Sequence, residues 1–115
     1  LNKSEIKKMY NSGMIIGGHS YSHKLLSNLK YNEQKYEIEK NINHLGKILG
    51  KKINFFAYPY GGNSSFDQKT IKILKKNKIQ FIFNTGNKYI NKKCANYNIP
   101  RFNCNRFKFG TIYKY

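Results

Sequence analysis

An α/β fold with largely parallel strands is the class this sequence predicts, and three observations carry it. Helical and strand-like hydrophobic patterns alternate along residues 4–84, in the order helix, strand, helix, strand, helix, strand. The first two strand runs lead straight into glycine-bearing loops, the usual form of a strand end in such folds. At 115 residues and 39% hydrophobic, with no internal repeat and no linker, the chain can bury one modest core, so residues 1–115 read as a single domain or a piece of one.

Ser4 is placed to cap the first helix, whose apolar residues Ile6, Met9 and Tyr10 recur at helical spacing before Gly13 stops it. Residues 14–16 then read as a short buried strand, and Gly17-Gly18 turns the backbone so that His19 stands at the strand's C-terminal end. The second helix is expected over residues 32–49, with Tyr36, Ile38, Ile42, Leu45 and Ile48 or Leu49 facing inward and Gly50 as its stop. A strand over residues 53–57 runs into Tyr58-Pro59-Tyr60-Gly61-Gly62, where proline and paired glycines exclude regular pairing and impose a shaped loop. Ser65 or Asp67 caps a third helix over residues 68–77, and residues 79–84 form the third strand. From residue 85 onward the chain is rich in Asn, Lys and aromatics, and Ile99-Pro100-Arg101-Phe102 is its one compact apolar stretch.

The formal charge of +17 comes from 22 basic residues against 5 acidic ones. Such an excess draws polyanions. It is almost all lysine, however, with only Arg101 and Arg106 as arginines, and it accompanies abundant Asn and Ile, a combination that AT-rich coding produces. A dedicated phosphate reader favours arginine, whose planar fork makes two parallel hydrogen bonds, so no nucleic-acid partner is expected. Cys94 and Cys104 stand ten positions apart with no histidine between them, which is no zinc-knuckle spacing, and a disulfide between them stays open. No run approaches the roughly 18 apolar residues that cross a bilayer, and residues 1–13 do not show the charged, apolar, then small-residue pattern of a signal segment. Because the chain enters a helical pattern at once, its natural N-terminus is expected upstream.

The chemistry concentrates in Gly17-Gly18-His19-Ser20-Tyr21-Ser22-His23. Histidines four apart, on one helical turn or at the two ends of a tight loop, can both reach one divalent ion at about 2.1 Å. Two surface histidines in a basic chain are the alternative. The setting favours ligands, since the pair follows a strand end and the loop of residues 58–62 leaves the next strand at the same end of the sheet.

These segments carry a family resemblance. Residues 14–27, followed by a helix and then Phe56-Ala-Tyr-Pro59-Tyr60-Gly61, are similar to the second and third motifs of the polysaccharide deacetylases, carbohydrate esterase family 4 with its NodB-homology domain. The helix ending in Ser12-Gly13 looks like the family's lead-in to its histidine motif, residues 81–86 resemble its Thr-Gly strand end, and Ile99-Pro100-Arg101-Phe102 resembles its Pro-Arg segment. The resemblance implies a distorted (β/α) barrel whose metal, usually zinc, is held by one aspartate and two histidines and activates a water to attack the acetamide of an N-acetylated sugar polymer. Carried over by motif, His19 and His23 are metal ligands, the Tyr60 backbone N–H is the oxyanion donor, Pro59 and Tyr60 shape the acetate pocket, and Arg101 orients the base or the product carboxylate. The bland alternatives are a cis or kinked turn at Pro59-Tyr60, core packing for Tyr58 and a surface ion pair for Arg101. The resemblance also places the protein outside the cytoplasm or on the cell envelope.

The family's first motif, an aspartate pair closing the first strand, is absent, as is its late Leu-x-His segment. Asp67 is the sole aspartate and reads as a helix cap, while His44 reads as a histidine on a helix surface. The expected fold is therefore a partial barrel lacking its first strand, and such a fragment would bind zinc weakly and turn over slowly or not at all. Lysines where the third motif normally opens with arginine look more like the subgroup acting on poly-N-acetylglucosamine. A non-catalytic domain gripping polysaccharide with tyrosines and lysines is the main competing reading, and a basic nucleic-acid module the weaker one.

Overall fold

The computed structural model describes residues 1–104; Arg106 and the rest of the C-terminal segment read above lie outside them. Its elements in chain order are α1 (Lys3–Asn11), a short 3₁₀ turn (Leu26–Asn28), α2 (Tyr31–Leu49), β1 (Phe55–Ala57), α3 (Gln68–Lys76), β2 (Phe81–Asn84) and β3 (Ile99–Pro100).

The three strands form one parallel sheet in the order β1-β2-β3, with Phe55 opposite Phe81 and Phe83 opposite Ile99. A fourth segment joins on the other side of β1 through a single parallel bridge between Gly18 and Phe56. The expected alternation is therefore present, with shorter strands than the hydrophobic runs suggested. Alternate side chains of a strand point to opposite faces, so Phe56 and Ile82, each 1% exposed, face the helices and join Leu26, Ile38, Ile42, Ile73 and Leu74 in the core. The other sheet face carries Phe55, Phe81 and Phe83, only half-buried and stacked at 5.2 and 6.4 Å between ring centres.

Three expectations fail in detail. Residues 14–16 are no buried strand, since Met14 and Ile15 are 52% and 71% exposed; β1 pairs with only one side of this segment, and among the described residues nothing pairs with the other. The cap of α1 is Asn2, whose side chain accepts from Glu5 N while Glu5 returns a bond to Asn2 N, so Ser4 lies inside the helix. Tyr36 is 54% exposed and lies outside the α2 stripe that buries Ile38, Ile42 and Ile48. Gly50 stops α2 in the left-handed region at φ 67°, and Asp67 rather than Ser65 caps α3 by accepting from Thr70 N. Cys94 and Cys104 are free thiols.

Candidate active site

Two loops leave the C-terminal ends of adjacent parallel strands and meet. The first, residues 18–23, depends on Gly18: a Cβ there would lie 2.7 Å from Phe56 Cδ2 and 2.8 Å from Asn41 Oδ1, so only glycine lets the backbone pass between β1 and α2. Its next residue, His19, donates its backbone N–H to Asn41 Oδ1 at 3.0 Å and its ring Nδ1 lies 2.8 Å from Ala57 O. A carbonyl can only accept, so Nδ1 carries the proton and the lone pair is on Nε2. Second-neighbour bonds of this kind fix the tautomer and aim of a ligating imidazole.

Ser20 and His23 both adopt positive φ, 62° and 56°, and the His23 N–H is donated to Ser20 Oγ at 3.0 Å. These left-handed positions curl the loop so that the His19 and His23 rings meet edge to face with centroids 4.9 Å apart. The loop is anchored on α2 by Glu37, whose carboxylate accepts from Ser22 N at 2.8 Å and Ser22 Oγ at 2.5 Å, while its backbone carbonyl accepts from Tyr21 N. Burial pushes the Glu37 carboxyl up, but the Ser22 bonds and nearby Lys24 outweigh it and hold the group below the ordinary glutamate value.

The second loop brings Tyr60 against His23, ring centroids again 4.9 Å apart. Tyr60 sits at φ 64° with Gly61 N donating to Pro59 O at 2.7 Å, the geometry of a tight γ-turn with a positive-φ centre, rare for a non-glycine residue. Thr85 clamps that turn: its N–H bonds Gly61 O at 2.8 Å and its hydroxyl bonds Tyr60 O at 3.2 Å. Beneath it, Tyr58 is buried, stacked on Phe66 at 3.8 Å and bonded to Tyr97 O, and burial followed by the neighbouring Tyr97 pushes its phenol well above the ordinary tyrosine range. Pro59 is also buried. Tyr58 thus packs in the core, and Pro59-Tyr60 is a kinked turn with no cis bond among the described residues.

Arg101 follows β3 directly, its backbone fixed by Arg101 N to Asn84 O at 3.2 Å. With His19 and Phe83 it lines an open cleft of about 440 Å³ beside the histidine loop. Its charge is felt at His19, whose pKa lies below the ordinary imidazole value: burial lowers it most, the Ala57 carbonyl opposes, and His23 and Arg101 lower it further. Among the described residues Arg101 makes no ion pair.

The structure thus brings His19, His23 and Tyr60 into one cluster, with Pro59 under the turn and Arg101 across the cleft. His44 is exposed on α2 and takes no part. Reasoning from sequence did not single out Asn41 or Glu37, and it met Thr85 only as part of the Thr-Gly strand end of residues 81–86. Gln34, Glu37 and Asn41 do recur at helical spacing beside the apolar stripe of α2, and that polar row was the available signal. As a metal centre the cluster is short of ligands: no group of three or more His, Cys, Asp or Glu residues comes together among the described residues, whereas zinc takes at least three protein donors in a catalytic site. These residues alone do not fit a resident ion.

A sequence profile of the polysaccharide deacetylase family matches residues 2–82. The chain is 31% identical to the poly-beta-1,6-N-acetyl-D-glucosamine N-deacetylase of Staphylococcus epidermidis, over 99% of its own length but 42% of that protein's. Among solved structures it matches Streptococcus pyogenes deacetylase PplD in complex with acetate, with a TM-score of 0.82 at 20% identity over 89% of this chain and 44% of that one. A polysaccharide deacetylase from Bacillus cereus matches with a TM-score of 0.74 at 28% identity over 89% of this chain and 32% of that one. The α/β fold described above is that of these deacetylases, present in part: the chain spans less than half the length of each of these relatives.

Proposed function

Since this chain belongs to the polysaccharide deacetylase family, we propose that the protein removes N-acetyl groups from a polymeric amino sugar by metal-dependent hydrolysis. The observation that carries the proposal is the convergence of two separate loops on one point, with the His23 ring standing 4.9 Å from both His19 and Tyr60. The curated relative acts on poly-beta-1,6-N-acetyl-D-glucosamine, and a β-1,6-linked N-acetylglucosamine polymer is the substrate we assign.

In this reading His19 and His23 would hold a divalent ion, most suitably zinc, once a carboxylate completed the ligand set. Such an ion, when bound, would supply Lewis acidity toward the acetamide. A carboxylate has a natural place: among the described residues nothing pairs with the outer edge of residues 14–18 beside the histidines, and a further strand would fit there. His19 serves as a ligand at neutral pH because its burial keeps it unprotonated and the Ala57 carbonyl leaves Nε2 as the donor atom. The Tyr60 N–H makes no hydrogen bond among the described residues, and the γ-turn clamped by Thr85 holds it ready for the oxygen that gains charge as the carbonyl is attacked. Arg101, across the cleft, balances the charge of the departing acetate or orients the base. A site of this kind works on polymer outside the cytoplasm or on the envelope.

Acetate release from poly-N-acetylglucosamine by the full-length protein is the direct test. Activity abolished by EDTA and lowered by orders of magnitude in His19→Ala and His23→Ala is the expected result. A metal-free protein whose variants bind polymer as the parent does would instead establish a non-catalytic polysaccharide-binding domain.

A further inference from the structure

Beside the histidine loop lies a second, smaller cleft of about 230 Å³, between that loop and the first turns of α2. Its walls are Lys24, Asn32, Glu33, Tyr36 and Glu37, with Leu29 beneath. Lys24 directly follows His23, and Glu37, only 3% exposed, is the residue that anchors Ser22, so the cleft shares its wall with the loop that carries the candidate ligands.

At its edge stand two tyrosines that the core does not use. Tyr21 and Tyr36 are 50% and 54% exposed, their rings meet nearly edge to face with centroids 6.3 Å apart, and the Lys40 ammonium lies over both, 4.2 and 4.8 Å from the ring centres. Lys40 also donates a short hydrogen bond to the Tyr36 hydroxyl. The ammonium takes up one face of each ring, and half of each side chain stays exposed. Tyr21 is two residues from His19 and two from His23, which bounds its Cα within about 7 Å of either.

An aromatic wall beside a few convergent donors and acceptors is the usual anatomy of a small-ligand site. A pyranose matches it, with apolar C–H faces to lie on a ring and hydroxyls to meet Lys24, Asn32 and Glu33. The ionic groups around the cleft and shelf are two ammoniums, Lys24 and Lys40, and two carboxylates, Glu33 and Glu37. They balance, which suits a neutral N-acetylated sugar rather than a uronate or a free amine.

We propose that Tyr21, Tyr36 and the Lys24–Glu37 cleft form a separate sugar subsite, which holds a neutral N-acetylated unit of the polymer adjacent to the one being deacetylated. This rests on the deacetylase reading above, and it makes the enzyme a reader of polymer rather than of single sugars.

The test uses the full-length protein with β-1,6-linked N-acetylglucosamine as the single sugar and as the hexamer, comparing the parent with Tyr36→Ala and Tyr36→Phe. The subsite predicts that Tyr36→Ala raises KM for the hexamer about five- to tenfold more than for the single sugar, the scale of one aromatic contact, and that Tyr36→Phe restores most of it. Equal losses on both substrates, or an unchanged hexamer KM, overturn the subsite. A parent that releases no acetate from either substrate refutes the deacetylase reading, and the subsite is then read from binding alone. In a calorimetric titration with hexamer, Tyr36→Ala binding as tightly as the parent overturns it, and a loss of affinity that Tyr36→Phe recovers sustains it.

Discussion

Replacing Gly18 with alanine tests how the histidine loop is held. The added Cβ would lie 2.7 Å from Phe56 Cδ2, 2.8 Å from Asn41 Oδ1 and 3.0 Å from Ile42 Cγ2. Two of those neighbours cannot yield cheaply, because Phe56 is 1% exposed within the core and Ile42 is fixed on α2. The Asn41 amide can swing away, but it then releases the His19 N–H that it accepts at 3.0 Å. Overpacking of this kind costs about 2 kcal/mol, and the lost hydrogen bond about 1 kcal/mol more. At roughly 4 °C per kcal/mol for a domain of this size, Gly18→Ala should melt about 8–12 °C below the parent by circular dichroism. Gly62→Ala is the control: nothing lies within 4 Å of its Cβ, so its effect should stay within about 0.5 kcal/mol. Because Asn41 is one of the three obstacles, the double variant Gly18→Ala with Asn41→Ala should be less destabilised than the sum of the singles. A Gly18→Ala protein that melts within 2 °C of the parent, with unshifted histidine ring resonances, would refute the idea that this close approach positions His19.

Three further outcomes follow from the same geometry. Glu37 has its carboxyl held below the ordinary value of 4.5, so the unfolded chain protonates first and the stability it contributes is complete above pH 4.5 and lost as pH falls through the folded value. Glu37→Gln should therefore cost about 2 kcal/mol at pH 7 and flatten the acid limb of a stability-against-pH curve; an unchanged acid limb would count against the Ser22 anchor. At Tyr60 the φ of 64° predicts that Tyr60→Gly is about 1 kcal/mol more stable in urea than Tyr60→Ala, since both lose the ring but only glycine relieves the turn, and equal midpoints would contradict the strain. Asp67→Ala should lower stability by about 1 kcal/mol through loss of the α3 cap and leave zinc affinity untouched, and a fall in zinc affinity would mean that the aspartate reaches the site.

The order of elements was legible because periodicity and stop signals are local. Gly50 ends α2 in the left-handed region, and Ile38, Ile42 and Ile48 line its buried face as their spacing required. The motif residues His19, His23 and Tyr60 were likewise visible, as was the end of the sheet at which both loops emerge. Burial of residues 14–16 was misread for a physical reason: an apolar run becomes a buried strand only where other elements cover its faces, and Met14 and Ile15 stay 52% and 71% exposed among the described residues. Tyr36 was misread because helical spacing cannot separate the edge of a stripe from its centre.

What the chain determined by itself is a set of short-range facts: where helices start and stop, which turns need glycine, and which side chains can ligate or stack. Tertiary structure decided the rest, since it alone could bring Asn41 to the His19 amide, Glu37 to Ser22 and Thr85 to the Tyr60 turn. Those contacts join residues 15 to 25 positions apart through parallel pairing and helix packing, and no local pattern encodes a distance that only the assembled sheet sets.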